Sequence, residues 1–207
     1  MLELFLSAFI TLFVVIDPPG CAPIYAGLTH NADAKARRTM ATRAVIIAAV
    51  ILIGFAAFGE QLLGALHIEL DSFRIAGGMM LFWIAFEMVF EKRTERREQR
   101  ADKVRATPEV EDVSVFPMAM PMLAGPGAIA AIMLLQNEAE GIIGTFVVLG
   151  ALVAVLVLTL LALIAAGPLM RLLGDKVEAA ITRLLGVLLA ALAAQYVIDG
   201  IRGSFVA

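Results

Sequence analysis

Two clusters of proline and glycine stand inside apolar runs, and one of them carries an acid. The first is Asp17-Pro18-Pro19-Gly20, followed by Cys21 and Pro23; the second is Pro121 with Gly125-Pro126-Gly127. Proline lacks an N–H and clashes with the preceding turn, so two in succession stop a helix. A stopped helix frees backbone N–H and C=O groups that must find partners. The N-terminus of a restarted half-helix carries partial positive charge and can hold a carboxylate, while the C-terminal carbonyls before the break can hold an ammonium group or a cation. Two facing breaks suit a small zwitterion. Asp17 at such a break can bind the substrate ammonium or a coupling proton; it can also cap the second half-helix through its side-chain oxygen.

The elements that must position these residues are apolar helices. Of 207 residues, 61% are hydrophobic and 17% charged, against about 25% charged in a soluble domain. Six apolar stretches cover residues 2–28, 43–66, 72–90, 115–135, 142–169 and 179–201. Each is close to the ~20 residues needed to cross the hydrocarbon, and lipid offers no partner for open strands, so each is read as a helix. Residues 2–16 alone would reach only about 22 Å at ~1.5 Å per residue, so the first crossing must continue past the break. The N-terminal run has an acid, Glu3, and no basic segment before its apolar stretch, so it reads as retained structure and not as a signal peptide.

The long polar segment 92–114 divides the chain. It reads as a solvated cytoplasmic linker between a first membrane repeat, 1–91, and a second, 115–207; its basic residues could also meet anionic lipid headgroups. With six simple crossings, fourteen of the sixteen Lys and Arg residues fall on the linker side, leaving Arg74 and Arg202 opposite. That asymmetry places the linker in the cytoplasm and both termini outside. If both broken stretches re-enter as hairpins, the split becomes twelve to four, and the termini lie inside.

The halves resemble each other at a spacing of 107–110 residues. Pro19-Gly20 aligns with Pro126-Gly127, Leu62-Leu63-Gly64 with Leu172-Leu173-Gly174, and 73–77 with 182–186; Thr29 and Gln136 also match. Three crossings per half force opposite orientations. The expected fold is therefore an all-α integral membrane protein of six transmembrane helices, arranged as two inverted three-helix repeats with helices 1 and 4 broken. Breaks at matched positions mark the substrate site of many secondary transporters. The expected substrate-binding set is Asp17, Pro18, Pro19, Gly20, Cys21, Thr29, Gly125, Pro126, Gly127 and Gln136. Arg74 and Arg183, at equivalent positions, either snorkel to the interface or gate the site. Gly77, Gly78 and Gly186 allow close helix packing. Glu87, Glu91 and Asp199, near helix ends, are expected to be solvated interface residues.

Val15-Ile16-Asp17-Pro18-Pro19-Gly20 with Pro23-Ile24 and Leu28-Thr29, Phe73-Arg74-Ile75-Ala76-Gly77-Gly78, and Leu123-Ala124-Gly125-Pro126-Gly127-Ala128-Ile129 with Pro121 resemble the signatures of the MarC family. Asp199-Gly200-Ile201 also fits. The resemblance spans essentially the whole chain. It implies a six-helix protein of the bacterial inner membrane, related in fold to LysE-type exporters, and transport of glycine, alanine and similar amino acids coupled to a cation gradient. Many members carry Asn after the Pro-x-Gly where this chain has Cys21, so a ligand role for that Asn does not carry over.

A membrane enzyme is disfavoured, since no HExxH, GxSxG or Ser/His/Asp arrangement lies near the midplane. Two histidines and one cysteine make a metal cluster or intrachain disulfide an unpromising reading. The alternatives are an exporter of another small metabolite, a channel and a non-transport scaffold; the repeat plan favours alternating access over a fixed pore, and a scaffold would not need two matched breaks with an acid. No metal or cofactor is expected beyond a coupling proton or sodium ion. The expected partners are membrane lipid, a small solute and a second copy of the chain, with no nucleic acid.

Overall fold

The computed structural model describes residues 1–105 and 112–206, and these are helical with no strand among them. Helices α1 (Leu2–Ile16) and α2 (Pro18–Leu28) follow one another across Asp17; α3 (Ala34–Ala65) and α4 (Leu70–Val89) complete the first half. Helix α5 (Lys92–Arg105) is formed by the charged segment. The second half opens with an irregular coil at Ser114–Leu123, then α6 (Pro126–Glu138), α7 (Gly141–Ile164) and α8 (Ala166–Val206). Five helical runs are long and apolar enough to cross a membrane, and Ser114–Leu123 with Pro126–Glu138, bent by 52°, makes a sixth if taken as one span.

Several boundaries differ from the hydrophobic stretches. α3 starts at Ala34, nine residues before the apolar run, because Asp33 caps it by accepting a hydrogen bond from the Ala36 N–H at 2.6 Å. α8 starts at Ala166 and absorbs the polar stretch after α7. A helix need not end where hydrophobicity does when its backbone bonds stay satisfied outside the hydrocarbon.

The bundle buries small and branched residues and turns large apolar ones outward. Ala8, Leu12, Leu52, Leu81, Ile132 and Leu152 are fully buried, while Val50, Phe58, Trp83, Phe146 and Leu184 are exposed. In water such a surface would be an aggregation patch; against lipid tails it costs nothing. α4 and α8 pack along each other in opposite directions. Gly78 faces the Ala193 carbonyl and Val197, and Gly186 faces Met88 and the Ala85 carbonyl. A Cβ on Gly186 would lie 2.9 Å from Met88 Cβ and 3.1 Å from the Ala85 oxygen. Gly186→Leu should therefore push the two helices apart and lower stability by about 1–3 kcal/mol, the usual cost of overpacking. Gly54, with nothing within 4 Å of a built Cβ, is the control. Equal melting of the Gly186→Leu and Gly54→Leu proteins in detergent would show that the contact is not tight.

Candidate functional site

The interruption at Asp17 is built by its own residues. α1 ends as the Asp17 N–H donates to the Phe13 carbonyl, and Asp17 turns left-handed with φ 59°. That turn redirects the side chain over the start of α2, where Asp17 Oδ1 accepts from the Gly20 N–H at 3.1 Å. Pro18 occupies the first helical position, whose N–H would have gone unused. Gly20 leaves room for the carboxylate, since a Cβ there would lie 2.3 Å from Asp17 Oδ2.

The carbonyls released at the end of α1 are met by arginines from α5. Arg93 Nη2 donates to the Val15 carbonyl at 2.6 Å, and Arg97 Nη2 reaches the Ile16 carbonyl at 3.5 Å. Arg97 Nη1 also pairs with Asp17 Oδ2 at 2.8 Å. Both members of this pair are buried, Asp17 at 1% and Arg97 at 5% exposure. Guanidinium charge thus faces both a carboxylate and the negative end of a helix. Burial first, and the neighbouring Arg97 charge second, push the Arg93 guanidinium down to about 10; it stays protonated at neutral pH.

The second interruption adjoins the first. Helical geometry fails at Phe116, Met120 and Pro121, and α6 begins at Pro126 without a side-chain cap. A Cβ on Gly127 would lie 3.5 Å from Val15 Cγ1, so the start of α6 touches the end of α1. Beside this meeting point lies a cavity of about 330 Å³, at the small end of ligand sites. Its wall takes Val15 from α1, Met80, Trp83, Ile84 and Glu87 from α4, Arg93, Arg96 and Arg97 from α5, and Gly125, Pro126, Gly127 and Ala128 at the start of α6. Glu87 is 5% exposed; its Oε1 pairs with Arg96 at 2.6 Å and accepts from the Trp83 indole N–H at 2.7 Å.

This arrangement belongs to a chain whose residues 2–205 match the family model described as MarC family integral membrane protein. The chain belongs to the MarC family. It is an integral, multi-pass membrane protein. A UPF0056 membrane protein of Methanocaldococcus jannaschii is 36% identical, over 98% of each chain. YvbG of Bacillus subtilis, also a UPF0056 membrane protein, is 33% identical over 99% of this chain and 97% of its own. YhgN of Escherichia coli K12, a UPF0056 inner membrane protein, is 32% identical over 95% of each. No solved structure matches.

The ten residues expected to bind substrate do not form one cluster in this MarC protein. Gly125, Pro126 and Gly127 line the cavity. Asp17 stands behind Arg97 with both oxygens engaged, and Pro18, Pro19, Gly20 and Cys21 build the turn and the start of α2 outside the cavity wall. The Cys21 thiol donates to the Ile16 carbonyl at 3.4 Å. Thr29 lies at the far end of α2, its hydroxyl donating to the Tyr25 carbonyl at 2.8 Å. Gln136 lies at the far end of α6 and lines a second cavity of about 430 Å³ with Glu60, Gln61, Asn137 and Thr145. Arg74 joins α4 to the same end of α6 by donating to Asn137 Oδ1 at 2.9 Å, and pairs within α4 with Asp71 at 2.8 Å. Arg183 pairs with Glu91. Gly77 packs on α6, where a Cβ would lie 3.0 Å from Leu134 Cδ1.

One residue and one segment depart from the sequence reading. Glu87, expected at a solvated interface, is buried in the cavity wall, because Arg96 and Trp83 supply donors there. The segment 92–114, expected to be a solvated linker, is helical over Lys92–Arg105 and sends Arg97 into the core; residues 106–111 lie outside those described. The signal for this was present in the spacing: Arg93, Arg97 and Ala101 recur at i, i+4 and i+8, one face of a helix, and Arg97 and Ala101 are both buried.

Proposed function

We propose that this protein is a secondary transporter of small neutral amino acids of the glycine and alanine type, driven by a proton or sodium gradient. Its site is the cavity where the two interrupted helices meet. The observation that carries this reading is the contact between the end of α1 and the uncapped start of α6 beside a small, charged, part-apolar cavity. Ligand sites between half-helices are a common plan in transporters built from inverted repeats. The packing supports that plan: α1 lies on α7 as the irregular coil and α6 lie on α3, while α4 and α8 pair across the centre. Exchanging the halves leaves this pattern unchanged.

The Asp17–Arg97 pair offers a means of coupling. A cation or proton competing for Asp17 would release Arg97, and with it the hold of α5 on the end of α1. The linker side is proposed as cytoplasmic, from the charge asymmetry, and the membrane as the bacterial inner membrane.

Uptake of labelled glycine and alanine by proteoliposomes, with imposed proton or sodium gradients, tests the reading. Accumulation above empty liposomes, driven by one of the two gradients, is expected. No accumulation by protein shown to be folded and inserted would remove the amino-acid assignment.

A further inference from the structure

The charges in the cavity wall are not fully matched. Arg97 is held by Asp17, and Arg96 by Glu87 Oε1. Arg93, by contrast, makes its hydrogen bonds to two neutral acceptors, the Val15 carbonyl at 2.6 Å and Met88 Sδ at 3.0 Å, and forms no ion pair among the described residues. Glu87 shows the opposite vacancy. Both its donors, Arg96 and Trp83, converge on Oε1, and Oε2 accepts from no described residue. A half-buried guanidinium without a counter-ion costs free energy, and a carboxylate oxygen without a donor, on a residue that lines the cavity, is free to take one. A ligand with one carboxylate and one ammonium group would answer both.

The two helix starts differ in the same sense. Asp17 lays its carboxylate over the start of α2. The equivalent position before α6 in the sequence repeat is Ala124, and α6 has no side-chain cap. Gly127 and Ala128, whose N–H groups open α6 after Pro126, line the cavity. A bound carboxylate there would stand where Asp17 stands in the first half, and helix starts favour that charge.

We infer that the cavity binds a free α-amino acid as its zwitterion, the carboxylate between Arg93 and the start of α6, the ammonium on Glu87 Oε2. The assignment rests on the transport reading for its choice of substrate and adds the residues that read its charges. The volume of about 330 Å³ and the apolar surfaces of Val15, Met80 and Ile84 leave room for a small side chain.

Equilibrium binding of labelled alanine to the purified full-length protein in detergent tests this, with propionate and alaninamide as competitors that each lack one charged group. Wild type should prefer alanine over both by at least about tenfold, the scale of one charge-assisted hydrogen bond. Arg93→Gln should lose alanine and propionate together, and Arg93→Lys should recover part of the affinity. Glu87→Gln should lose the preference for alanine over propionate while still binding propionate, which also shows that it folds. Wild-type protein that binds propionate as tightly as alanine, or no alanine at all, overturns the assignment. So does alanine affinity unchanged in both charge-removing variants. Intact binding without uptake in liposomes removes the transport reading alone; intact uptake with binding indifferent to both substitutions removes this assignment alone.

Discussion

Arg97→Met should destabilise the protein by about 3–5 kcal/mol, the cost of leaving one member of a buried ion pair behind. Asp17 would keep its hydrogen bond from the Gly20 N–H but lose the guanidinium on Oδ2, at a position only 1% exposed. Asp17→Asn should cost less, because the amide oxygen can still cap α2. The double variant Asp17→Asn with Arg97→Met should be less destabilised than the two single costs together, since removing both charges removes the uncompensated one. Denaturant unfolding in mild detergent measures all three. Additive costs would mean that the pair seen at 2.8 Å contributes no coupling. The same variants should lose gradient-driven uptake, because α5 is held on the end of α1 through Arg97 and Arg93.

Gly125→Ala is expected to abolish uptake and alanine binding, with losses above about tenfold, although it adds one methyl group. A Cβ at Gly125 would lie 2.4 Å from the Pro121 carbonyl oxygen. That neighbour is backbone and cannot rotate aside, so the turn must open and the start of α6 must move. The conformation itself, φ −79°, is open to any residue; the constraint is space. A shift of about 1 Å at a binding group is enough to lose most of its contribution. Gly150→Ala, with nothing within 4 Å of its Cβ, should behave as wild type. A Gly125→Ala protein with wild-type uptake would show that the tight turn is not needed.

Much of the architecture was legible in the sequence because lipid imposes a simple rule. Runs of about twenty apolar residues must form helices to satisfy their own backbone, and proline stops them for reasons local to the chain. The membrane helices follow from this, as do the left-handed turn at Asp17 and the bend before Pro126. The capping role of Asp17 was legible too, since it depends on Gly20, three residues away.

The candidate site was less legible. Thr29 and Gln136 align with each other in the sequence, yet each lies at the far end of its helix, α2 or α6, away from the cavity. Glu87 looked solvated because it stands near a helix end; it is buried because Arg96, nine residues on, folds back beside it. Arg93 and Arg97 looked like linker charge because hydropathy counts polarity and not partners. What the chain determines by itself is where helices run through lipid and where they must stop, for these depend on neighbours within a few residues. Only the tertiary structure decides which charges answer the end of α1, for Asp17 and Arg97 are eighty residues apart and meet only when α5 packs against α2 and α4.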